Sequence, residues 1–298
     1  MIRKWMCAMV GTLCLQGCFS LTDKQLPAPP PIPTSATKAI ADKSASHKHS
    51  QSLPKTLGGL IQSDSWVIYQ EKQEEEFKGH VSYENDSYRF RADYALSQRT
   101  QNLFTAQGNV YLRKQDPDGT WYELYADKAV YNYKTGKGYA LSQSKHPVRL
   151  YYHTAKGDLV HATAHRADLN TQLKTYQLTG HAVITHTNLQ KQTNTLQADK
   201  ISAKQMEQYA LLEGNAEVSN DQYRLQANRI EYDGSKQYAS ALGDRPLATG
   251  TTENGTFAII ADEVQAQTNT RNIQLKGHVQ GWLLSDQLNE AEKQKAHK

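Results

Sequence analysis

The run from Phe257 to Val279, FAIIADEVQAQTNTRNIQLKGHV, alternates apolar and polar positions. Phe257, Ile259 and Ala261 lead, Asp262 and Glu263 interrupt, and Ile273, Leu275, Gly277 and Val279 resume. Alternation at period two specifies half-buried β-strands, so the run predicts a strand on each side of a polar turn, with its Phe, Ile and Leu on one face. A single hairpin cannot bury such a strip, and the rest of the chain has to supply the opposing surface.

Repetition supplies it. Ala followed by Asp or Asn closes alternating runs at Ala92-Asp93, Ala126-Asp127, Ala167-Asp168, Ala198-Asp199, Ala227-Asn228 and Ala261-Asp262. Gly opens the next strand at Gly79-His80-Val81, Gly108-Asn109-Val110, Gly180-His181-Ala182, Gly214-Asn215-Ala216 and Gly277-His278-Val279. Four Ala-to-Gly intervals (92 to 108, 198 to 214, 227 to 243, 261 to 277) are 16 residues long. That length holds two short strands and a turn, one unit of an antiparallel meander. Ala lets backbones pack closely where a strand bends, Asp or Asn bonds nearby backbone at the corner, and Gly admits a bulge. The unit at Gly243 is irregular, because Asp244-Arg245-Pro246 replaces the alternating strand.

A longer duplication relates Gly108, Ala126, Tyr131, Pro147, Ala167 and Gly180, in order, to Gly214, Ala227, Tyr232, Pro246, Ala261 and Gly277. It reads either as two related modules or as one continuous sheet built from two copies. The expected boundaries are a first β module at 66–206, a second, partial one at 207–284 and a polar tail at 285–298.

Ahead of the repeats, Arg3 and Lys4 precede an apolar run from Trp5 to Leu15. It is too short to span a bilayer and has the length of a secretory signal's apolar region. Leu15-Gln16-Gly17-Cys18 resembles a bacterial lipobox, so the expectation is a signal peptide at 1–17 and an acylated Cys18 as lipid anchor; two or more acyl chains hold a protein stably at a membrane. Phe19 and Ser20 follow the Cys in place of an inner-membrane retention Asp, which favours the outer membrane. Residues 18–62, with Pro27, Pro29, Pro30, Pro31 and Pro33 and then a Ser/Ala/Lys/His stretch, predict an extended and then flexible linker. His47 and His49 within it read as solvated, and Glu74-Glu75-Glu76 as a solvated face.

Composition narrows the function classes. With 298 residues, 38% of them hydrophobic, the chain folds around a modest core. Of the formal charge of +4, Arg3 and Lys4 supply two units, and the clustered basic excess that nucleic acid requires is missing. Cys7, Cys14 and Cys18 all lie in the first 18 residues, leaving neither a disulfide framework nor a Cys metal knuckle for the body. His161 and His165 have the zincin interval, but no Glu stands between them and HATAHRAD reads as strand. The recurrent Asp residues sit at the same corner of separate units, which suits corner hydrogen bonding better than a metal or acid/base array. No G-x-S-x-G elbow, phosphate loop or dinucleotide fingerprint occurs. The expectation is a protein that is not an enzyme, with no cofactor, metal or catalytic residue.

The strings GNVYL, LYADKAVY, LTGHAVIT, LQADKI, LLEGNAEV, YRLQANRIEY and IQLKGHV resemble the OstA-like domain of the lipopolysaccharide-transport proteins LptA, LptC and the N-terminal part of LptD, over roughly residues 77 to 282. The resemblance implies an all-β fold, an OstA-like β-jellyroll of twisted, V-shaped antiparallel sheets that holds lipid acyl chains between its walls. It implies a periplasmic module contacting lipopolysaccharide or a related glycolipid without catalysis. The groove would be the apolar strip of Phe90, Leu112, Leu124, Leu178, Leu196, Leu212, Leu225, Phe257, Ile259, Ile273 and Leu275, with Arg149, Arg224, Arg229 and Arg245 at its rim meeting anionic headgroups. Open edge strands would pair with other OstA-like proteins or with a second copy. The competing expectation is a scaffold lipoprotein with a closed core, binding partner proteins through those edges and no lipid.

Overall fold

The computed structural model describes residues 59–142, 146–252, 255–267, 270 and 272–285. Cys18, the expected signal peptide, most of the linker with His47 and His49, and the tail beyond 285 lie outside the described residues. Within them every regular element is a strand and every pairing is antiparallel. The first ten are β1 (Leu60–Gln62), β2 (Ser65–Tyr69), β3 (Glu74–Glu84), β4 (Tyr88–Gln98), β5 (Leu103–Gln115), β6 (Trp121–Asn132), β7 (Lys137–Leu141), β8 (Val148–His153), β9 (Leu159–Ala164) and β10 (Arg166–Asn170). Next come β11 (Thr175–Thr187), β12 (Thr193–Lys204), β13 (Tyr209–Asn220), β14 (Tyr223–Asp233) and β15 (Tyr238–Leu242). The last are β16 (Leu247–Thr252), β17 (Gly255–Ile260), β18 (Glu263–Gln267), β19 (Asn272–Lys276) and β20 (Gln280–Ser285).

Long strands and short ones play the same part. β3, β4, β5, β6, β11, β12, β13 and β14 each cross the sheet from side to side, while β1/β2, β7/β8, β9/β10, β15/β16, β17/β18 and β19/β20 are crossings split in the middle. The described chain therefore lays down fourteen rungs in sequence order, each hydrogen-bonded to its sequence neighbours, the first and last on one side. Register shifts interrupt the ladders near mid-rung, as between Lys78 and Val81 or Glu213 and Ala216. There the sheet creases into two walls. Wall I contains β2, β7, β10, β15, β18 and β19 with one half of each long strand. Wall II contains β1, β8, β9, β16, β17 and β20 with the other halves.

A repeated side-chain device makes the crease. A corner residue in one rung meets, 15 positions later, a small residue in the next: Asp64/Gly79, Asp93/Gly108, Asp127/Ser142, His165/Gly180, Asp199/Gly214, Asn228/Gly243 and Asp262/Gly277. Gly214 has φ 73°, and a Cβ there would lie 2.4 Å from Asp199 Oδ2, so the corner carboxylate occupies space only glycine leaves open. The residue after the glycine is also left-handed, and it is Asn or His in five cases (His80, Asn109, His181, Asn215, His278), types that tolerate that region.

Side-chain size follows distance from the crease. On wall II the crease row is mostly alanine (Ala92, Ala126, Ala164, Ala182, Ala198, Ala216, Ala227, Ala261), which lets the walls meet. Leu, Ile and Phe fill the next positions, and one buried cluster runs from Ala140 to Ala266 with residues of both walls.

Three expectations change. The alternating runs Phe257–Ala261 and Ile273–Val279 do not form a hairpin with each other: β17 pairs with β16 and β20 in wall II, and β19 pairs with β18 in wall I. Asp262 is a crease corner, not a turn. In the third repeat the corner is His165 against Gly180, whereas Asp168 sits within β10, ion-paired to Arg166 at 2.6 Å. Glu75 is buried at 4% exposure and paired with Arg99, because period-two alternation in β3 turns it inward between the outward Glu74 and Glu76. β12 and β13 pair from Asn194↔Asn220 to Lys204↔Tyr209, broken only by the crease shift between Gln197 and Lys200, so the sheet runs across the junction between the two repeats.

Candidate functional site

Directly opposed residues in antiparallel strands share a face, so the inner surface can be read as rows. In wall II one row runs Phe90, Leu112, Leu124, Leu150, Ala162, Ile184, Leu196 and Val218, then Leu225, Ala248 and Ile259. Of the expected groove residues, Phe90, Leu112, Leu124, Leu196, Leu225, Phe257 and Ile259 lie on the inner face of wall II. Leu178, Leu212, Ile273 and Leu275 lie on that of wall I. Contacts cross between them: Phe90 of wall II meets Phe104 of wall I edge-on at 5.5 Å, and Ile273 and Leu275 pack against the cluster that holds Leu196 and Val218.

Filling is uneven along the cleft. From β9 to β18 inner residues are mostly buried, whereas on β6 none is fully buried, and Leu124 and Tyr122 keep part of their surface accessible. Among the described residues both ends are open: β1 and β2 pair only with β3, β19 only with β18, and β20 only with β17. These end rungs leave Leu60, Trp66, Ile68, Trp282, Leu283 and Leu284 exposed. Leu283 is opposed to Phe257 on the inner face and is 68% exposed, so the apolar lining continues to the terminus of the sheet.

Sequence reasoning missed a polar stretch in this lining. Farther from the crease, wall II carries Tyr88, Lys114, Tyr122 and Tyr152 in register. Lys114 is buried, bonds Asp116 at 2.8 Å, and lies 5.9 and 5.5 Å from the ring centres of Tyr88 and Tyr122. Burial pushes both phenol pKa values up, and among the described residues neither hydroxyl has a hydrogen-bond partner. Tyr131 and Tyr176 of wall I stand close enough to Tyr122 to influence its ionisation. The available signal was parity: Lys114 is two positions beyond Leu112 and so shares its face.

The four arginines expected at the rim are elsewhere. Arg149, Arg224 and Arg229 alternate with inner residues and point outward: Arg149 lies over Tyr125 at 4.9 Å, Arg224 bonds Glu217 at 3.2 Å, and Arg229 bonds Glu231 at 3.0 Å. Arg245 caps the crease, donating to the His278 carbonyl oxygen at 2.8 Å. Parity alone put three of them on the solvent side. His161 is also outward, stacked on Tyr151 at 4.5 Å, while His165 is at the crease. Burial first, and then the Arg149 charge, lowers the His161 pKa.

A folded antiparallel meander with an apolar inner face has a counterpart among known families. The profile described as LptA/(LptD N-terminal domain) LPS transport protein matches residues 60–209. The chain belongs to this family. The match runs from β1 to the start of β13, and the same rung pattern continues beyond it to β20. Among solved structures, this family member is similar to LptH, the LptA homologous periplasmic component of the conserved lipopolysaccharide transport device from Pseudomonas aeruginosa. That similarity has 13% identity over 41% of this chain and 81% of that chain, with a TM-score of 0.33. No curated protein matches the sequence.

Proposed function

We propose that this protein is a non-catalytic periplasmic lipid carrier. It contacts lipopolysaccharide or a related glycolipid with the acyl chains between its walls and assists transport to, or assembly in, the outer membrane. The observation that carries this reading is the two-walled inner face, lined with Phe90, Leu112, Leu124, Leu225, Phe257 and Ile273 and, among the described residues, open at both ends, in a member of a lipopolysaccharide-transport family. Each chain methylene removed from water contributes roughly 0.8 kcal/mol, so an apolar cleft binds an amphiphile without a charged contact. In this reading acylated Cys18 tethers the protein to a membrane, the outer one favoured, and the residues of 66–206 and 207–284 act as two parts of one conduit. The exposed end rungs accept a strand from another OstA-like protein or from a second copy.

The close-packed cluster that holds Leu212, Ile230 and Val148 favours a second reading for part of the length, a closed-core scaffold. Mass spectrometry of protein purified from native membranes separates the two. The carrier reading expects co-purifying glycolipid, and a preparation free of lipid but holding a partner protein would establish the scaffold.

A further inference from the structure

We propose that Tyr88, Lys114 and Tyr122 form a hydrogen-bonding station for the ester or amide carbonyl oxygens of an acylated lipid. This rests on the carrier reading and adds to it the part of the lipid that is recognised. Hydrocarbon has no use for hydroxyl donors, and a buried hydroxyl without an acceptor is costly. Here two such hydroxyls, on Tyr88 and Tyr122, flank one ammonium group on the inner face, in a row that continues through Tyr152, Val160 and His186 and lies beyond the apolar row of Leu112 and Leu124. Their oxygen atoms are screened from solvent.

The charge balance selects the acceptor. The Lys114 ammonium is compensated by Asp116 at 2.8 Å, and the two side chains are only 8% and 13% exposed. The station therefore offers no uncompensated positive charge to a phosphate or carboxylate, and burial keeps both phenols protonated. What remains is a pair of neutral O–H donors, which a neutral carbonyl oxygen fits. Position agrees with this. Lys114 is four residues from Val110 on the crease row, roughly 13 Å along the strand, with Leu112 and Leu124 between. A lipid with its chain ends toward the alanine crease presents its acyl linkage at the tyrosines.

The test compares two lipids that differ only in that linkage, dipalmitoyl phosphatidylglycerol and its dihexadecyl ether counterpart, in competition with a fluorescent apolar probe. The wild-type protein should prefer the ester by about tenfold, the expectation for two modest hydrogen bonds. Tyr88→Phe with Tyr122→Phe should abolish the preference by weakening the ester alone, and Tyr122→Phe by itself should reduce it. Melting followed by circular dichroism verifies that the variants fold. Equal binding of both lipids by the wild type, or an undiminished preference in the double variant, overturns the station and leaves the carrier reading standing. Binding of neither lipid overturns both.

Discussion

Asn215 donates a 2.9 Å hydrogen bond from its side-chain amide to the carboxylate of Asp199, and that bond joins two successive rungs where both bend. Asn109 repeats it with Asp93 at 2.8 Å, and His80 and His278 pair in the same way with Asp64 and Asp262 at 2.8 and 2.7 Å. The crease is thus a stack of equivalent corners, and the separation of the walls depends on each of them.

Adding a methyl group at one corner should open the crease locally. Gly214→Ala forces a left-handed alanine and a Cβ 2.4 Å from Asp199 Oδ2, and is expected to cost ~2 kcal/mol or more in urea denaturation. Gly119→Ala, also left-handed but with nothing within 4 Å of the new Cβ, should cost less. Equal losses at the two sites would show that the corner carboxylate does not matter.

Arg99 is the only cationic partner the structure gives the buried Glu75 among the described residues. Arg99→Met should destabilise by about 1–3 kcal/mol, below the cost for a fully buried pair because Arg99 is 37% exposed. Glu75→Gln combined with Arg99→Met should recover much of that loss. A double variant no more stable than Arg99→Met alone would contradict the pairing.

Acidification should weaken the fold in part through His161. Its pKa is lowered in the folded state, so below about 6.5 the unfolded chain binds a proton that the folded chain resists, and stability falls as pH drops from that value toward the folded pKa. His80 acts in the opposite sense. Its pKa is raised by the Asp64 hydrogen bond, so its contribution is present below about 6.5 and fades as pH rises through the folded value. His161→Phe, which keeps a ring against Tyr151, should flatten the urea midpoint between pH 7 and pH 5. An unchanged slope would exclude His161 as a source.

The exposed end rungs should drive association. Trp282→Lys with Leu284→Lys places charge on an edge that is now apolar, and sedimentation velocity should show a concentration-dependent oligomer lost in the variant. Identical profiles would remove β20 from the contact.

Much of this architecture was legible because alternation and small-residue corners are local signals. The strand content, the inner face of Leu112, Leu124 and Phe257, and the Ala-to-Gly interval all follow from period two and backbone freedom. What stayed hidden was the third dimension of the repeat. A corner within one rung and a turn between two rungs look alike in sequence, so Asp262 reads as a hairpin turn, and Ala164-His165 passes unnoticed because His takes the place of Asp. Polarity misled at Glu75, and Lys114 and Tyr122 were passed over, because their residue types suit water while their parity turns them inward. The family likeness carried the lipid expectation, and the rim arginines failed because charge was weighed ahead of alternation.

The central claim is that acyl chains lie against the inner face. A photo-reactive residue placed in living cells at inner positions Phe90, Leu112 and Leu124, and in separate variants at outer positions Tyr111, Glu123 and Tyr125, tests it most directly. The account predicts glycolipid crosslinks at the inner three and none at the outer three, alternating residue by residue along β5 and β6. Crosslinks to protein alone at the inner positions, or lipid captured equally on both faces, would contradict it.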